Sequence, residues 1–526
     1  MTRSGHGVRS EIQAGEGPPM SRNFLDWRNV EAEASLVSAF ERRATAHADR
    51  LFVKSSTFAL SWGEALSAVR GFGELHRERL EGRDVAMFMG NGPGFFITYL
   101  AVLFSGGRPA VLNAAMPEKA GRKLVEELAP ELVFAGQVLE FDDAAVVVDG
   151  DRIRHWISLD AGMSSSATAG DETACYFYSG GTTGTPKRIR YTHDRLLAAG
   201  ARMQWGWPLQ EGEVFLPIAP FSHIYGFLAG ICLPIQCGGS SIIPLRFHPA
   251  EVLDLIERER VTVLGGGPPA VYQALMSDPD LGRRDLSSLR VCPGGGASFP
   301  LEIHRRWKDV TGLTIYEGYG MTEGAPLAVN TVETGIKAGS VGKAVPDTEI
   351  SIVDMETGSR VLRAGEAGEI KVRGPHTMLG YCNDPEETAM VLRDGWVLTG
   401  DVGVMDEQGF LTITDRKKDV IIHKGFNVFP REVEEAIMSH PSVACACVCG
   451  AADERAGEIV LAYVTLRPGQ ATTPEEISRA CASYLVNYKI PARIEILEAF
   501  PLTPAGKVDR MALKALSRRT SAGAAA

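Results

Sequence analysis

The segment Tyr178–Lys187 combines glycines, hydroxyl side chains and a lysine in a way that suits the binding of several phosphates. Glycine adopts positive φ without steric cost, so successive backbone N–H groups can turn toward one point and bind an anion. The segment differs from the common P-loop because Pro186 precedes Lys187. Taken alone, it could also be a flexible surface loop. Its residue types predict a polyphosphate-binding loop made of Ser179, Gly180, Gly181, Thr182, Thr183, Gly184, Thr185 and Lys187.

A second glycine-rich segment, Gly318–Glu323, ends in side chains that suit a nucleotide with its metal ion. Tyr319 offers an aromatic face to a base, and Thr322 offers a hydroxyl to a phosphate. Glu323 is a hard oxygen ligand, and Mg²⁺ is usually held by one or two carboxylates together with phosphate oxygens. Alone, Glu323 would be read as a solvated surface carboxylate. Because a second phosphate-binding segment is also present, we predict that Glu323 is a Mg²⁺ ligand.

These two segments and seven others follow one another in the order found in the adenylate-forming superfamily, which the chain resembles over nearly its whole length. That superfamily contains acyl- and aryl-CoA synthetases, luciferases and peptide-synthetase adenylation domains. The resemblance is greatest to enzymes of the 4-coumarate–CoA ligase type, although the phosphate loop is more similar to that of free-standing aryl-acid-adenylating enzymes. The other segments are Pro220–Phe227, Gly294–Ala297, Gly368–Gly374, Gly395–Asp401, Asp415–Lys418, Lys424–Gly425 and Pro504–Lys507.

The resemblance implies a complete nucleotide site. Asp401 and Arg416 match the residues that contact the ribose, and a carboxylate can accept both ribose hydroxyls. Glu317 stands where relatives often have Gln, at a position next to adenine. Besides these three and the phosphate loop, the implied ATP- and AMP-binding residues are Gly295, Gly296, Ala297, Gly318, Tyr319, Gly320, Met321 and Thr322.

The resemblance also implies a second conformation and a catalytic lysine near the end of the chain. Lys507 matches the lysine that bridges the substrate carboxylate and the α-phosphate, where it stabilises charge in the transition state. Lys418 matches the pivot of a hinge about which a small domain rotates. Lys424 and Gly425 match the wall of a tunnel for the pantetheine arm of CoA.

A pocket for the acyl group is implied around Pro220–Phe227. His223 lies in an apolar sequence, where a lone histidine is usually a core residue, but the resemblance places it near the substrate carboxylate. We therefore assign Lys507, His223 and Thr322 to catalysis. The predicted acyl pocket consists of His223, Tyr225, Gly226, Gly295 and Gly318.

The same region bears on the substrate. Ile218–Cys232 contains no Asp or Glu, which argues against an amino-acid substrate, because peptide-synthetase domains use an Asp there to bind the α-ammonium. Ile224 argues against the free-standing hydroxybenzoate-activating subgroup, whereas the phosphate loop favours it.

Together these features predict an AMP-forming carboxylic acid–CoA ligase that acts on an aromatic or bulky apolar acid, with ATP, Mg²⁺ and CoA. Two alternatives stay open. One is a free-standing enzyme that loads the acyl group onto the phosphopantetheine thiol of a carrier protein. The other is a non-catalytic nucleotide-binding protein. The resemblance also allows a homodimer.

Composition limits the remaining possibilities. The chain has 526 residues, a net charge of −11, 45% hydrophobic residues and nine cysteines. The negative charge, with no basic stripe, argues against a nucleic-acid partner. Nine cysteines in so long a chain are not a disulfide framework, which together with the lack of a secretory signal favours the cytoplasm. No apolar segment is long enough to span a membrane.

Strands that alternate with helices predict an α/β fold with parallel βαβ units. We expect a disordered extension at residues 1–21, with Met20 as the natural start, and a large ATP- and acid-binding domain at 22–414. A β-rich part at about 341–414 is followed by a hinge at 415–419, a small α+β domain at 420–516 and a disordered tail at 517–526. Predicted strands of the large domain include Ala59–Ser61, Leu132–Ala135, Ala174–Tyr178, Val261–Gly265, Leu289–Val291 and Glu349–Val353, and predicted helices include Trp62–Glu81, Glu118–Leu128, Pro249–Glu259 and Pro268–Met276.

Overall fold

A six-stranded sheet organises the first part of the chain. The computed structural model describes residues 25–166, 169–179, 186–297, 299–453, 455–501, 508–510 and 512–516. Neighbouring strands of this sheet are parallel except for the last pair, which is antiparallel. In their order across the sheet, the strands are Val146–Val147, Leu132–Ala135, Asp84–Phe88, Arg108–Leu112, Thr173–Tyr178 and Arg188–Thr192.

A second sheet of five strands is also largely parallel, with one antiparallel pair at its edge. The strands, in order, are Val263–Leu264, Val214–Leu216, Ser240–Ile242, Leu51–Lys54 and Ala59–Ser61. The edge strand Ala59–Ser61 leads directly into the helix Trp62–Leu80. A capping box starts this helix, because Ser61 Oγ accepts from the Glu64 N–H and the Glu64 carboxylate accepts from the Ser61 N–H.

Helices connect these strands and cover the sheets. The helix Pro93–Phe104 is buried at every position from Phe95 to Phe104, which explains its almost entirely apolar sequence. Across the described residues, no helix combines the length and the apolar character needed to cross a membrane. The α-helices are Arg28–Glu31, Leu36–Ala46, Trp62–Leu80, Pro93–Phe104, Glu118–Leu128, Gly150–Ser158, His193–Gly206, Ile224–Phe227, Leu233–Gln236, Pro249–Arg258, Pro269–Met276, Leu301–Thr311, Pro385–Val391, Pro430–Met438 and Pro474–Cys481.

Two further sheets follow. The first contains Cys292–Gly294, Ile315–Met321, Gly324–Val329 and Lys343–Ala344 in that order. The second is antiparallel and contains Glu349–Val353, Gly368–Arg373, Trp396–Met405, Leu392–Arg393 and Leu411–Arg416. The last of these strands leads into the short 3₁₀ helix Lys417–Asp419.

The C-terminal part has its own sheet and its own core. The helices Pro430–Met438 and Pro474–Cys481 pack against the sheet and contribute Val433, Ile437 and Ile477 to a separate cluster of buried residues. The strands are Phe426–Val428, Ile421–His423, Gly457–Leu466, Val443–Asp453 and Arg493–Ile496, the last of which pairs with Gly457–Leu466.

The predicted α/β fold class, with a large first domain and a small α+β domain, is confirmed. The predicted bounds of Glu118–Leu128, Leu132–Ala135, Ala59–Ser61 and Glu349–Val353 are those of the structure. The strand expected at Leu289–Val291 lies at Cys292–Gly294 instead, because these residues pair in register with residues 315–317, while Val291 forms a single bridge to Val263. Sequence reasoning assigned no element to Gly150–Ser158, Arg188–Thr192, Leu301–Thr311, Ile315–Met321 or Gly324–Val329.

Candidate active site

A tight β-hairpin presents Thr322 and Glu323. Its strands are Ile315–Met321 and Gly324–Val329, and Met321 pairs with Gly324, so Thr322 and Glu323 form the turn. Glu323 is buried, and its carbonyl accepts a hydrogen bond from the Met378 N–H at 2.7 Å. The hydroxyl of Tyr191 donates to the Thr322 carbonyl at 3.2 Å. The turn is thus held by residues from two other parts of the chain.

Tyr381 connects Glu323 to the predicted phosphate-binding lysine. Its hydroxyl donates to Glu323 Oε1 at 2.8 Å, and Lys187 Nζ lies 4.9 Å from the centre of its ring. Lys187 also forms an ion pair with Glu387. Tyr381 lies beside the strand that follows the loop, because it bridges to Ile189. The site therefore includes Tyr381 and Glu387, which sequence reasoning did not identify.

The loop itself is held at both ends. Tyr178 pairs with Arg188 across the antiparallel strands, and the Ser179 N–H donates to the Lys187 carbonyl at 2.9 Å. Ser179 and Lys187 are therefore brought together at the base of the loop. The other predicted members, Gly180, Gly181, Thr182, Thr183, Gly184 and Thr185, lie outside the described residues.

Burial controls the ionisation of Glu323. It raises the pKa of the carboxyl, whereas the hydrogen bond from Tyr381 and the charge of Lys187 lower that pKa by less. A divalent cation needs the ionised carboxylate. The Tyr381 hydroxyl therefore supports the form of Glu323 that can bind a metal. In the described part of the chain, no three His, Cys, Asp or Glu residues cluster as a metal site, so phosphate oxygens would have to complete a Mg²⁺ site here.

Replacing Tyr381 by Phe is expected to shift the acid limb of the pH profile upward. The substitution removes a donor that stabilises the ionised carboxylate, so the pKa of Glu323 rises further above its ordinary value. A hydrogen bond to a charged group contributes about 1.5–3 kcal/mol, which corresponds to a shift of roughly one pH unit or more. The measurement is the pH dependence of kcat/KM for ATP in the presence of Mg²⁺. Tyr484→Phe, at an exposed tyrosine, is the control, and an unchanged acid limb in Tyr381→Phe would contradict the role of this hydroxyl.

A second polar group surrounds Asp401. The Tyr319 hydroxyl donates to Asp401 Oδ2 at 2.6 Å, and Arg416 Nε lies 3.2 Å from Asp401 Oδ1. Asp401 and Arg416 are direct partners in neighbouring antiparallel strands, which fixes their spacing. Burial raises the pKa of the Asp401 carboxyl, and the Arg416 charge opposes that shift. The structure thus brings together three of the four residues predicted at the base and ribose of the nucleotide, namely Tyr319, Asp401 and Arg416.

Glu317 directs its carboxylate away from this group. Its oxygens lie 3.2 Å from the donating Phe299 N–H and 3.1 Å from His304 Nε2, and the residue is buried. Its backbone carbonyl is also occupied, because it accepts from the Asn330 N–H at 2.9 Å and from Asn330 Nδ2 at 3.2 Å. The predicted contact of Glu317 with adenine stays a prediction. Its neighbours Gly318, Tyr319, Gly320 and Met321 continue along the same strand.

Of the predicted acyl-pocket residues, Gly295 lies beside the ring of Tyr225 and beside Gly318, and Gly266, which was not predicted, lies against the Tyr225 hydroxyl. A Cβ atom on Gly266 would lie 1.9 Å from Tyr225 Oη, and one on Gly295 would lie 3.8 Å from Cζ of the ring and 3.2 Å from the Gly318 carbonyl oxygen. Gly226 packs equally closely, because a Cβ there would lie 2.2 Å from the Pro220 carbonyl oxygen. Glycines at these positions therefore leave room for the tyrosine ring and the backbone beside it.

His223 lies at the start of the helix Ile224–Phe227. Its side chain is exposed, whereas its neighbours Ser222 and Ile224 are buried. Asn91 fixes the preceding turn, since its amide donates to the Ala219 carbonyl at 3.0 Å and accepts from the Phe221 N–H at 2.8 Å. After Tyr381 and Glu387, Asn91 is a third residue that sequence reasoning missed. Gly296 and Ala297 follow Gly295 in an exposed bend.

The residues implied for a second conformation lie at two turns. Lys418 is in the 3₁₀ helix Lys417–Asp419, and burial lowers the pKa of its ammonium group. Lys424 and Gly425 form the two-residue turn of the hairpin between Ile421–His423 and Phe426–Val428, both with positive φ. Such a turn places the backbone of both residues at the tip of the hairpin. Lys507 lies outside the described residues.

Two family models match the chain in the same order as these features. The AMP-binding enzyme model matches residues 40–382, and the model of the AMP-binding enzyme C-terminal domain matches residues 432–507. The chain belongs to the AMP-binding enzyme family. The resemblance to adenylate-forming enzymes is therefore confirmed.

Named members of the AMP-binding enzyme family are similar to this chain over different lengths. A long-chain-fatty-acid–CoA ligase of Bacillus subtilis is 42% identical over 339 residues, which is 64% of this chain and 60% of the ligase. The 4-coumarate–CoA ligase 2 of Petroselinum crispum is 30% identical over 485 residues, which is 87% of this chain and 89% of that ligase.

Solved structures of the AMP-binding enzyme fold agree with this result. ATP-bound MatB from Rhodopseudomonas palustris has a TM-score of 0.84 at 26% identity, and the match covers 91% of this chain and 98% of that chain. The apo form of the same protein has a TM-score of 0.76. The described arrangement is thus more similar to the ATP-bound form.

Proposed function

We propose that this protein is an AMP-forming carboxylic acid–CoA ligase that activates an aromatic or bulky apolar acid. The observation that carries the proposal is the convergence of Glu323 and Lys187 on Tyr381. The proposed metal ligand contacts the hydroxyl of Tyr381, and the proposed phosphate-binding lysine lies over the ring of the same side chain. Named relatives that act on long-chain fatty acids and on 4-coumarate support an apolar acid and CoA as the acceptor.

The chemistry needs two steps, because a carboxylate is a poor acyl donor. In the first, a carboxylate oxygen attacks the α-phosphorus of ATP and pyrophosphate leaves. In the second, the thiolate of CoA attacks the acyl carbon and AMP leaves with one oxygen of the acid. Mg²⁺, when bound at Glu323, would neutralise charge on the phosphates. Holding both reactants in one site supplies much of the rate.

Each residue group has one part in this proposal. The loop from Ser179 to Lys187 binds the phosphates, Asp401 and Arg416 bind the ribose, and Tyr319 lies against adenine. His223 and Thr322 lie near the reacting carboxylate and α-phosphate. Tyr225, Gly226, Gly295 and Gly318 line the acyl pocket, and Lys507 offsets the charge of the two anions as they meet.

The acceptor thiol has one alternative. The similarity of the phosphate loop to that of aryl-acid-adenylating enzymes supports a carrier-protein thiol as this alternative acceptor. A homodimer stays a prediction. All nine cysteines are described and none forms a disulfide, which favours a reducing cytoplasm.

Replacing Lys418 by Pro is expected to spare adenylation and to abolish thioester formation. Proline fixes φ and restricts the residue before it, so the backbone at the proposed pivot can no longer rotate. The two half-reactions are measured separately, as pyrophosphate release and as thioester formed from supplied acyl-adenylate. Lys418→Ala removes the same charge but keeps backbone rotation and should support both. Thioester formation that survives in Lys418→Pro would refute the pivot.

The proposed function is tested by mass spectrometry of the products formed from ATP, Mg²⁺, CoA and a panel of aryl, fatty and polycyclic acids. An acyl-CoA product is expected with at least one apolar acid. An acyl-adenylate that persists in excess CoA would favour the carrier-protein alternative. Failure to release pyrophosphate with any acid would support a nucleotide-binding protein without catalysis.

A further inference from the structure

We infer that Glu387 competes with the phosphates of ATP for Lys187 and so sets the affinity for ATP and the release of pyrophosphate. The inference rests on the proposed function, which assigns Lys187 to those phosphates. Lys187 Nζ forms an ion pair with Glu387 and lies over the ring of Tyr381. A phosphate that binds Lys187 must therefore replace a carboxylate that already neutralises it.

The fold fixes Glu387 in this position. It lies in the first turn of the helix Pro385–Val391, where its N–H donates to Asp384 Oδ1 at 3.0 Å. The Tyr381 N–H donates to the Thr388 hydroxyl at 2.9 Å, which ties the same helical turn to the segment that contacts Lys187. Because the backbone of Glu387 is anchored at its own N–H and at the next residue, Thr388, the Glu387 side chain loses less conformational entropy when it returns to Lys187.

Partial burial of Lys187 and Glu387 strengthens the attraction with which the carboxylate competes against phosphate. The side chains of Lys187 and Glu387 are 22% and 28% exposed, so water screens their attraction less than that of an open surface pair. The polyphosphate carries several negative charges and replaces the single carboxylate. Glu387 is then left beside like charge, which favours its return to Lys187 once pyrophosphate starts to leave. Glu387 thereby weakens binding of the triphosphate and speeds the departure of the product.

The same helical turn provides a matched control. Glu386 is the preceding residue, carries the same charge and is exposed. Glu386→Gln and Glu387→Gln change the net charge equally, so the difference between them isolates the contact with Lys187 from the general charge of the surface. AMP provides a second control, because it has no β- or γ-phosphate to bind Lys187.

The test is calorimetric titration of both variants with ATP in the presence of Mg²⁺, and with AMP. Glu387→Gln is expected to lower the Kd for ATP about fivefold, as for the loss of a competing ion pair, and to leave the Kd for AMP unchanged. Inhibition by pyrophosphate should become stronger to a similar extent. Glu386→Gln should leave all three constants unchanged. An unchanged or weaker affinity for ATP in Glu387→Gln, or an equal shift for AMP, would overturn the inference.

A second background separates competition from simple repulsion. With Lys187→Ala, the effect of Glu387→Gln on the Kd for ATP should fall to that of Glu386→Gln, because no lysine is left to compete for. A full effect in that background would overturn the inference in favour of direct repulsion. The ATP titrations do not depend on which acid the enzyme uses. If the Kd for ATP shifts as expected but no acid leads to pyrophosphate release, the role of Glu387 is upheld and the proposed ligase function is refuted. If the wild-type protein binds no ATP, both proposals are refuted.

Discussion

Replacing Lys507 by Ala is expected to lower the rate of acyl-adenylate formation by roughly 100- to 1000-fold while sparing thioester formation from supplied acyl-adenylate. The lysine is needed only while two anions, the carboxylate and the α-phosphate, approach each other. Once the adenylate exists, that repulsion is gone and the thiol attacks a neutral acyl carbon. Pyrophosphate release measures the first half-reaction, and thioester yield from synthetic acyl-adenylate measures the second.

Lys489→Ala is the control for Lys507. It removes the same charge from the same small C-terminal domain, where Lys489 Nζ lies 2.6 Å from Glu432 Oε2, away from the proposed hinge. Both half-reactions should be close to those of the wild type. Equal loss of both half-reactions in Lys507→Ala would refute the division of labour between the two steps.

Replacing Glu323 by Gln is expected to lower kcat for adenylation by roughly 100-fold or more, because a metal ion contributes several kcal/mol of charge stabilisation in the transition state. Glutamine keeps the shape of the side chain and can still accept from Tyr381. Activity measured against Mg²⁺ concentration should show a weaker apparent affinity for the metal as well as a lower maximum.

A measurement of thermal stability distinguishes the loss of a metal ligand in Glu323→Gln from misfolding of the variant. The folded-state pKa of Glu323 is raised by burial, so the ionised carboxylate lowers the free energy of unfolding as the pH rises above its ordinary pKa. A neutral glutamine removes that cost, and the Tm of Glu323→Gln should be equal to or above that of the wild type at neutral pH. A lower Tm with proportionate loss of activity, or an unchanged Mg²⁺ dependence, would contradict the assignment of Glu323 as the metal ligand.

The sequence allowed the alternation of strands and helices to be predicted where local pattern decides it. Glu118–Leu128 has helical periodicity, and Leu132–Ala135 is a short apolar strand of a buried sheet. The hairpin Ile315–Met321 and Gly324–Val329 was not recognised because Gly318, Gly320 and Gly324 interrupt any alternation of apolar and polar residues. The strand Arg188–Thr192, by contrast, did carry a local signal, because Arg188, Ile189, Arg190 and Tyr191 alternate between polar and apolar residues.

The sequence was enough to predict which residue types form the site, but not which of them contact one another. Glu323 and Asp401 were identified from motifs, and the structure places each beside a tyrosine hydroxyl. Glu323 and Tyr381 are 58 residues apart in the chain, and Asp401 and Tyr319 are 82 residues apart. No local sequence pattern indicates a contact between residues so far apart. Glu387 looks like an ordinary surface charge in a helix until the fold brings it to Lys187.

The central claim is that the acid is activated as an acyl-adenylate, and an isotope measurement tests it most directly. An acid labelled with oxygen-18 in both carboxylate oxygens is incubated with ATP, Mg²⁺, CoA and the protein, and the products are weighed by mass spectrometry. The account predicts one oxygen-18 atom in AMP, one in the acyl-CoA and none in pyrophosphate, because the carboxylate oxygen that attacks the α-phosphorus leaves with AMP. Oxygen-18 in inorganic phosphate, with ADP as the nucleotide product, would contradict it.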